Sequence, residues 1–291
     1  MWRNVLGRVA GWDHQPDAPR KRIRGKVHGY RMDLDLSDWS DRWAYFLGRY
    51  YETHTQRLFT LALRPGDTFI DIGANIGMTA LVAARLVQPG GRLFAFEPNP
   101  QAFSRLAAHV ELNGLQSVVH IANVGLADKP AELSLYVPRH SGQASFADLT
   151  VDLPVNRNLE DVQSLKVPVR VGDEELVSLP DGPLFVKIDV EGFECRVIKG
   201  LHRTLLERQP AVVTEADGSM LRRAGDSLES LFTLMHSYGY QAFNVDHSGQ
   251  RWPGRLLLHQ ALTASDVKAR DLLWLPPSSV FRARLGIPNS C

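Results

Sequence analysis

Four carboxylates in this chain directly follow short apolar runs that are typical of buried β-strands: Asp71, Glu97, Asp189 and Glu215. In open α/β sheets the carboxyl ends of parallel strands meet at one edge, and ligands bind there. Acids gathered at one edge attract a positively charged ligand and repel a phosphate. The pattern therefore predicts one acidic site for a cationic ligand.

The first of these acids begins a glycine-containing loop. Residues 71–77 read Asp-Ile-Gly-Ala-Asn-Ile-Gly, and an apolar periodic segment follows at 78–87. Glycine lets the backbone approach a ligand closely, asparagine tolerates positive φ, and the start of a helix offers unpaired N–H groups. This order of strand, loop and helix predicts a nucleotide-cofactor site. Its expected loop contacts are Gly73, Ala74, Asn75 and Gly77.

The glycine spacing chooses among cofactors. A dinucleotide fingerprint requires G-x-G-x-x-G, whereas this loop reads G-x-x-x-G and is preceded by an acid that would repel a pyrophosphate. A P-loop ends in Gly-Lys-Ser/Thr, which is absent here. S-adenosylmethionine fits better, because it carries an ammonium and a sulfonium but no phosphate. On the loop alone, a glycine-rich turn without a ligand stays open.

The next strand ends predict contacts to the nucleoside. Glu97 and Pro98 lie about twenty residues beyond the glycine loop, where an acid accepts ribose hydroxyls in this fold type. Asn99 and Pro100 predict the cap and the first residue of the following helix. Asn123 ends the third predicted strand and is a candidate for hydrogen bonding to the adenine edge.

The segment 187–194, Lys-Ile-Asp-Val-Glu-Gly-Phe-Glu, supplies the candidate catalytic residues. Acids gathered at a strand end can accept a proton, or hold a metal that polarises a hydroxyl group. Asp189 is the best-placed candidate for the base, followed by Glu191 and Glu215. Lys187 is explained by an ion pair with these acids, or as a base if burial lowers its pKa.

The same acids leave open whether the protein binds a divalent metal ion. Asp189, Glu191, Glu215 and Asp217 offer the oxygen ligands that hard cations such as Mg²⁺ prefer. Acids paired at strand ends also occur without a metal. The histidines are scattered without metal-ligand spacing, so no zinc site is expected.

Four segments together resemble the FkbM family of S-adenosylmethionine-dependent methyltransferases: 71–77, 96–99, 123–128 and 187–194. The resemblance implies an α/β fold with the Rossmann-like class I methyltransferase sheet, which has seven mostly parallel strands and a reversed last strand. It implies an O-methyltransferase that acts on a sugar or a secondary metabolite. The cofactor contacts that it implies in addition are Glu52, Asn123, Val124 and Asp189.

The chain divides into four predicted parts. Residues 1–38 are expected to form an irregular basic tail, and residues 39–66 a helical extension whose aromatic stripe is interpreted as core packing. The methyltransferase domain is expected at 67–275, and an irregular tail at 276–291. The long polar stretch 138–166 is interpreted as a lid-like insertion over the substrate. Its expected substrate contacts are His140, Ser141 and Ser145.

Composition excludes several other classes of protein. The net charge of +1 gives no reason to expect a nucleic-acid partner, so the expected partner is a small hydroxyl-bearing acceptor. Only two cysteines occur, which argues against a disulfide framework. The sequence shows neither a membrane-spanning apolar run nor a signal-peptide core, and cytoplasmic residence is therefore expected.

Two alternatives from other functional classes stay open. A nicotinamide-dependent oxidoreductase could use a similar sheet, but the glycine spacing disfavours it. A non-catalytic binding module could retain the fold, although all of the candidate acids are present in this chain.

Overall fold

The computed structural model describes residues 18–138, 144–147, 162–248 and 254–288. The strands of the described part are β1 (Arg20–Arg24), β2 (Arg31–Asp35), β3 (Thr68–Ile72), β4 (Arg92–Phe96), β5 (Val119–Ala122), β6 (Gly125–Ala127), β7 (Ala131–Pro138), β8 (Val162–Val171), β9 (Leu184–Ile188), β10 (Ala211–Glu215), β11 (Gln241–Ser248), β12 (Arg255–Ala261) and β13 (Asp271–Leu275). The α-helices are α1 (Trp39–Leu47), α2 (Thr53–Ala62), α3 (Met78–Val87), α4 (Pro100–Leu112), α5 (Gly172–Glu175), α6 (Glu194–Gly200), α7 (Gly218–Arg223), α8 (Leu228–Ser237) and α9 (Val280–Leu285).

An eight-stranded sheet forms the centre of the fold, in the order β12-β11-β13-β10-β9-β3-β4-β5. Strands β5, β4, β3, β9 and β10 pair in parallel. Strand β13 lies between β10 and β11 and runs antiparallel to both. This is the predicted methyltransferase sheet with its reversed last strand. Strand β12 adds an eighth strand at the edge, paired to β11 as a hairpin.

Both faces of the central strands are covered, which explains their continuous apolar sequences. Neighbouring residues of β3 point to opposite faces, so Phe69 and Ile70 are both buried but belong to different hydrophobic clusters. Phe69 packs in a cluster with Phe59 of α2 and Phe185 of β9. This packing fixes α2 against the strands whose ends carry the acids.

The helices beside the predicted site begin where the sequence indicates. Gly77, with a φ of 91°, caps the start of α3. Asn99 caps α4 with its side-chain oxygen, which accepts the N–H of Gln101 at 3.0 Å, and Pro100 is the first helical residue. Of the helices in the described ranges, none combines the length and the apolar character needed to cross a bilayer.

The predicted irregular tail 1–38 contains a β-hairpin in its described part, formed by β1 and β2. Met32 and Leu34 of β2 are fully buried. Between them Asp33 faces the surface, where both of its oxygens accept hydrogen bonds from Arg22. The basic residues of β1 alone give no strand signal, because the strand with alternating burial that pairs with them, β2, lies further along the chain. The sequence therefore predicts an irregular tail here, and the structure differs.

Two other predicted boundaries also differ. The end of the predicted lid, 162–166, belongs to β8 and pairs with β7. The predicted tail 276–291 contains α9, where Phe281 is buried and Arg284 forms an ion pair with Asp67. Short elements of this kind are held by tertiary contacts that local periodicity does not reveal.

Candidate active site

The glycine loop, residues 71–77, packs against the end of β9. Gly73, Asn75 and Gly77 have φ values of 80°, 49° and 91°, in the left-handed region that favours glycine. The N–H of Gly73 donates to the carbonyl of Phe96 at 3.0 Å, which ties the loop to β4. A Cβ on Gly73 would lie 1.8 Å from the carbonyl oxygen of Asp189. Only glycine fits at this position, because the space that a Cβ would fill is occupied by the backbone of Asp189.

Glu97 holds the other side of the loop. Its two oxygens accept the backbone N–H of Asn75 at 2.7 Å and of Asn99 at 2.8 Å. The side chain is buried yet lines the pocket beside Pro98. Burial raises the pKa of Glu97 to about 7, although the two N–H donors oppose that rise. Each oxygen keeps a lone pair for a further donor, which fits the predicted ribose contact.

Asn123 and Val124 make structural contacts beside the pocket, and their cofactor contacts stay a prediction. The amide of Asn123 donates to the carbonyls of Glu97 at 2.7 Å and Pro98 at 3.1 Å. The side chain of Val124 is buried in a hydrophobic cluster. Neither residue lines the pocket. The unpaired carbonyls of the turn after β4 attract the amide, which sequence alone does not reveal.

Asp71 lies beneath the pocket rather than at its surface. Its side chain is fully buried, and one oxygen accepts the hydroxyl of Thr79 at 2.6 Å. The other oxygen is 3.7 Å from the ammonium of Lys187. Asp71 is therefore placed to hold the start of α3 and Lys187, and the expected direct contact with a cationic cofactor is not the arrangement found.

Lys187 is the cation shared by two acids. Its Nζ lies 2.8 Å from Oδ2 of Asp189 and 3.7 Å from Oδ1 of Asp71. Burial opposes its charge, but these two carboxylates outweigh burial and raise the pKa of Lys187 above its ordinary value. An ammonium that stays charged cannot accept a proton. The structure thus favours the ion pair over the alternative of a lysine base.

Three acids converge at the ends of β9 and β10. Carboxylate oxygens of Asp189, Glu191 and Glu215 all lie within 4.8 Å of one another. Arg270 pairs with one oxygen of Glu215. Burial, and after it the charge of Asp189, raises the pKa of Glu191 to about 8 and that of Glu215 to about 10. Asp217 lies outside this group, because its carboxylate caps α7.

Glu52 reaches the same pocket from the helical extension. It precedes α2 and lines the pocket together with Asp189. Burial, followed by the charges of Asp189 and Asp271, raises the pKa of Glu52 to about 7. This position agrees with the one that the family resemblance implies.

An aromatic wall, formed by Trp39, Tyr50 and Tyr51, closes one side of the pocket. The ring centroids of Trp39 and Tyr51 are 5.1 Å apart, and those of Tyr50 and Tyr51 are 4.6 Å apart. These residues were expected in the core. Their positions relative to the helices could have indicated the pocket. Trp39 is the first residue of α1, and the two tyrosines lie in the break between α1 and α2. The remaining wall is lined in part by Leu135, Ala144, Phe146 and Arg270.

Ser145 does not face the substrate side of the site. Its side chain is buried, and its hydroxyl donates to the carbonyl of Glu191 at 2.7 Å. His140 and Ser141, the other expected lid contacts, lie outside the described residues. Ser145 therefore supports the turn that carries Glu191.

The buried acids predict that the ligand-free protein loses stability as the pH rises. Glu52 and Glu97 have pKa values near 7 when folded, against 4.5 for the ordinary group. Between these values the folded state holds protons that the unfolded state releases, so the free energy of unfolding falls with rising pH. Urea unfolding in EDTA at pH 5.5 and pH 8 should show this fall. Glu52→Gln should reduce it, whereas the exposed Glu174→Gln should leave it unchanged. A pH dependence of Glu52→Gln equal to that of the wild type would contradict the conclusion that folded Glu52 has a raised pKa.

The reversed strand β13 and the glycine loop at the end of β3, beside an acidic rim, define a class I S-adenosylmethionine-dependent methyltransferase. A model of the methyltransferase FkbM domain matches residues 71–242, more than half of the chain. The chain therefore belongs to the FkbM methyltransferase family. This membership places it among methyltransferases and not among nicotinamide-dependent oxidoreductases.

Three curated relatives illustrate the range of the similarity. The 31-O-demethyl-FK506 methyltransferase FkbM of Streptomyces tacrolimicus is 30% identical over 214 residues, which cover 66% of this chain and 80% of that protein. The hexuronic acid methyltransferase AglP of Haloferax volcanii is 29% identical over 190 residues, with coverages of 65% and 72%. Methyltransferase 1 of Beauveria bassiana is 29% identical over 162 residues, with 52% of this chain matching 65% of that relative's length.

Proposed function

We propose that this protein is an O-methyltransferase that transfers the methyl group of S-adenosylmethionine to a hydroxyl of a sugar or of a sugar-bearing small molecule. The observation that carries the proposal is the composition of one pocket. The glycine loop and Glu97 line this pocket together with Asp189, Glu191 and the aromatic wall. Carboxylates that accept hydroxyl hydrogen bonds, together with flat aromatic rings, suit a hydroxylated ring.

The names of the relatives support the same acceptor class. Two of the relatives are named as methyltransferases of 31-O-demethyl-FK506 and of hexuronic acid, and a further one, NoeI of Sinorhizobium fredii, is named as a 2-O-methyltransferase. Each of these names describes that relative, and the transfer to this chain rests on the shared family and on the pocket.

The residues fit a cationic cofactor without phosphate. The acid Glu97 suits the hydroxyls of a nucleoside, and Oδ1 of Asn75 is buried without a hydrogen-bond partner. Glu52 lies on the acidic side, where an ammonium would be stabilised. We assign cofactor contacts to Gly73, Ala74, Asn75, Gly77, Glu97, Pro98 and Glu52.

When bound, S-adenosylmethionine supplies an activated methyl group, so the protein's main task is to position the acceptor oxygen in line with it. The aromatic wall orients the acceptor ring. Asp189 accepts the hydroxyl proton in our assignment, since its side chain is the most exposed of the three acids to the pocket. Glu191 is the next candidate. Lys187 holds Asp189 in place through the 2.8 Å contact.

Asp189→Asn is expected to retain S-adenosylhomocysteine binding and to lower kcat by about 10²–10⁴, the usual contribution of a general base. Calorimetry measures the binding, and S-adenosylhomocysteine release from a panel of p-nitrophenyl glycosides measures turnover. Asp217→Asn is the matched control, because Asp217 caps α7 outside the acid group. Failure of the wild-type protein to bind S-adenosylhomocysteine would overturn the proposed function, and full turnover by Asp189→Asn would overturn the assigned base.

Trp39→Ala is expected to raise the acceptor KM by about tenfold, because it removes a large aromatic contact surface from the pocket. The Kd of S-adenosylhomocysteine should stay unchanged. Trp43→Ala is the matched control, since Trp43 lies on the same helix, is 37% exposed and does not line the pocket. Equal changes in KM for both variants would contradict the acceptor role of the aromatic wall.

A further inference from the structure

We propose that Asp189, Glu191 and Glu215 bind one divalent hard cation of the Mg²⁺ class at the acceptor end of the pocket. Asp189 and Glu191 come from the turn after β9 and Glu215 from the end of β10, and their carboxylates converge without the help of a ligand. The catalytic use of the cation rests on the proposed function, whereas its binding can be measured without cofactor or acceptor.

The distances suit one ion. The relevant carboxylate oxygens lie within 4.8 Å of one another. Hard cations bind oxygen at about 2.0–2.6 Å, so two ligand oxygens of one ion lie no more than about 4–5 Å apart. Little side-chain movement is needed to bring the three acids into contact with a common centre.

Two of the three acids have an oxygen that lacks any partner. Oε2 of Glu191 and Oε2 of Glu215 are buried without a hydrogen bond, and their residues are only 7% and 5% exposed. A buried polar atom without a hydrogen-bond partner is destabilising, and more so when it is charged. A positively charged ligand would satisfy these two atoms, and the described residues provide no partner for them.

The neighbouring cations contact other oxygen atoms of the cluster and not the two that lack a partner. Lys187 contacts the Oδ2 atom of Asp189 and is shared with Asp71, while Arg270 contacts the Oε1 atom of Glu215. Three clustered carboxylates thus face one arginine and one shared lysine. A divalent cation would provide a partner for the two carboxylate oxygens that lack one.

The cluster is closed on one side and open on the other. Glu215 is buried, whereas Asp189 and Glu191 line the pocket and the side chain of Asp189 is 26% exposed. A cation held here keeps coordination positions that face the acceptor. Such an ion polarises a hydroxyl and eases the loss of its proton.

The test is a Mn²⁺ titration of the cofactor-free protein. Binding is measured as the decrease of the electron paramagnetic resonance signal of free Mn²⁺, and Mg²⁺ is added as a competitor. Mn²⁺ and Mg²⁺ prefer the same oxygen ligands. We expect one ion per chain with a Kd of about 10⁻⁵–10⁻³ M, as for modest oxygen sites. Glu191→Gln and Glu215→Gln should each weaken binding by at least about tenfold, a loss seen even for outer-shell changes. Glu229→Gln, on the exposed side of α8, should leave binding unchanged.

Absence of Mn²⁺ binding in the wild-type protein would overturn the inference and would indicate that protons, or an acceptor amine, balance the cluster. Binding that survives in both glutamine variants would overturn it as well. Calorimetry with S-adenosylhomocysteine, run on the same samples, checks that the variants are folded. It also separates the two proposals: cofactor binding without Mn²⁺ binding defeats only the metal site, and the reverse result defeats only the proposed function.

Discussion

Gly73→Ala is expected to reduce S-adenosylhomocysteine affinity by more than about 100-fold, equivalent to about 3 kcal/mol or more. The new Cβ would lie 1.8 Å from the carbonyl oxygen of Asp189, and this backbone atom cannot rotate away. The loop must therefore leave β9 and lose its cofactor-binding shape. Calorimetry measures the affinity, and urea unfolding measures the accompanying loss of stability.

The chain offers a close control for backbone strain. Gly239 has a φ of 79°, against 80° for Gly73, but a Cβ there would meet no atom within 4 Å. Gly239→Ala should cost only the strain of the left-handed conformation, about 1–2 kcal/mol, and leave the affinity unchanged. If the two variants bound S-adenosylhomocysteine equally well, the contact between the loop and β9 would not be important for binding.

Lys187→Met is expected to lower the free energy of unfolding by about 3–5 kcal/mol at pH 8, because it leaves buried carboxylates without their cation. Asp71 is the more affected, since it is fully buried and burial already raises its pKa. As the pH falls, protonation of Asp71 removes the unpaired charge, so the deficit relative to the wild type should shrink toward pH 5. Urea unfolding at several pH values measures this trend.

Lys199→Met is the control for Lys187→Met, because Lys199 is exposed on the neighbouring helix α6. It should change stability by less than about 0.5 kcal/mol at every pH. A deficit in Lys187→Met that stayed constant from pH 5 to pH 8 would contradict the charge-based explanation.

The parts of the fold that carry the cofactor site could be predicted from the sequence. The apolar runs of β3, β4 and β9, the cap Asn99 with Pro100, and the helix 78–87 all carry local signals, and each appears at the predicted place. The rim of acids could be predicted as well, since strand ends of a parallel sheet share one edge.

The direction of individual side chains could not be predicted. Asp71 and Asn123 end their strands as expected, but one points beneath the loop and the other bonds to the turn after β4. The aromatic wall was missed for a similar reason. Tyr50 and Tyr51 follow the end of α1, and helical spacing gives no information on where residues in a helix break will point.

A single buried ammonium, Lys187, connects the strand that carries the glycine loop with the acid assigned as proton acceptor. Because one ammonium holds both carboxylates, any ligand that moves Lys187 or the loop above Asp71 should also move the side chain of Asp189. Cofactor binding should therefore fix the direction in which Asp189 points before the acceptor arrives, which favours an ordered sequence of binding with the methyl donor first.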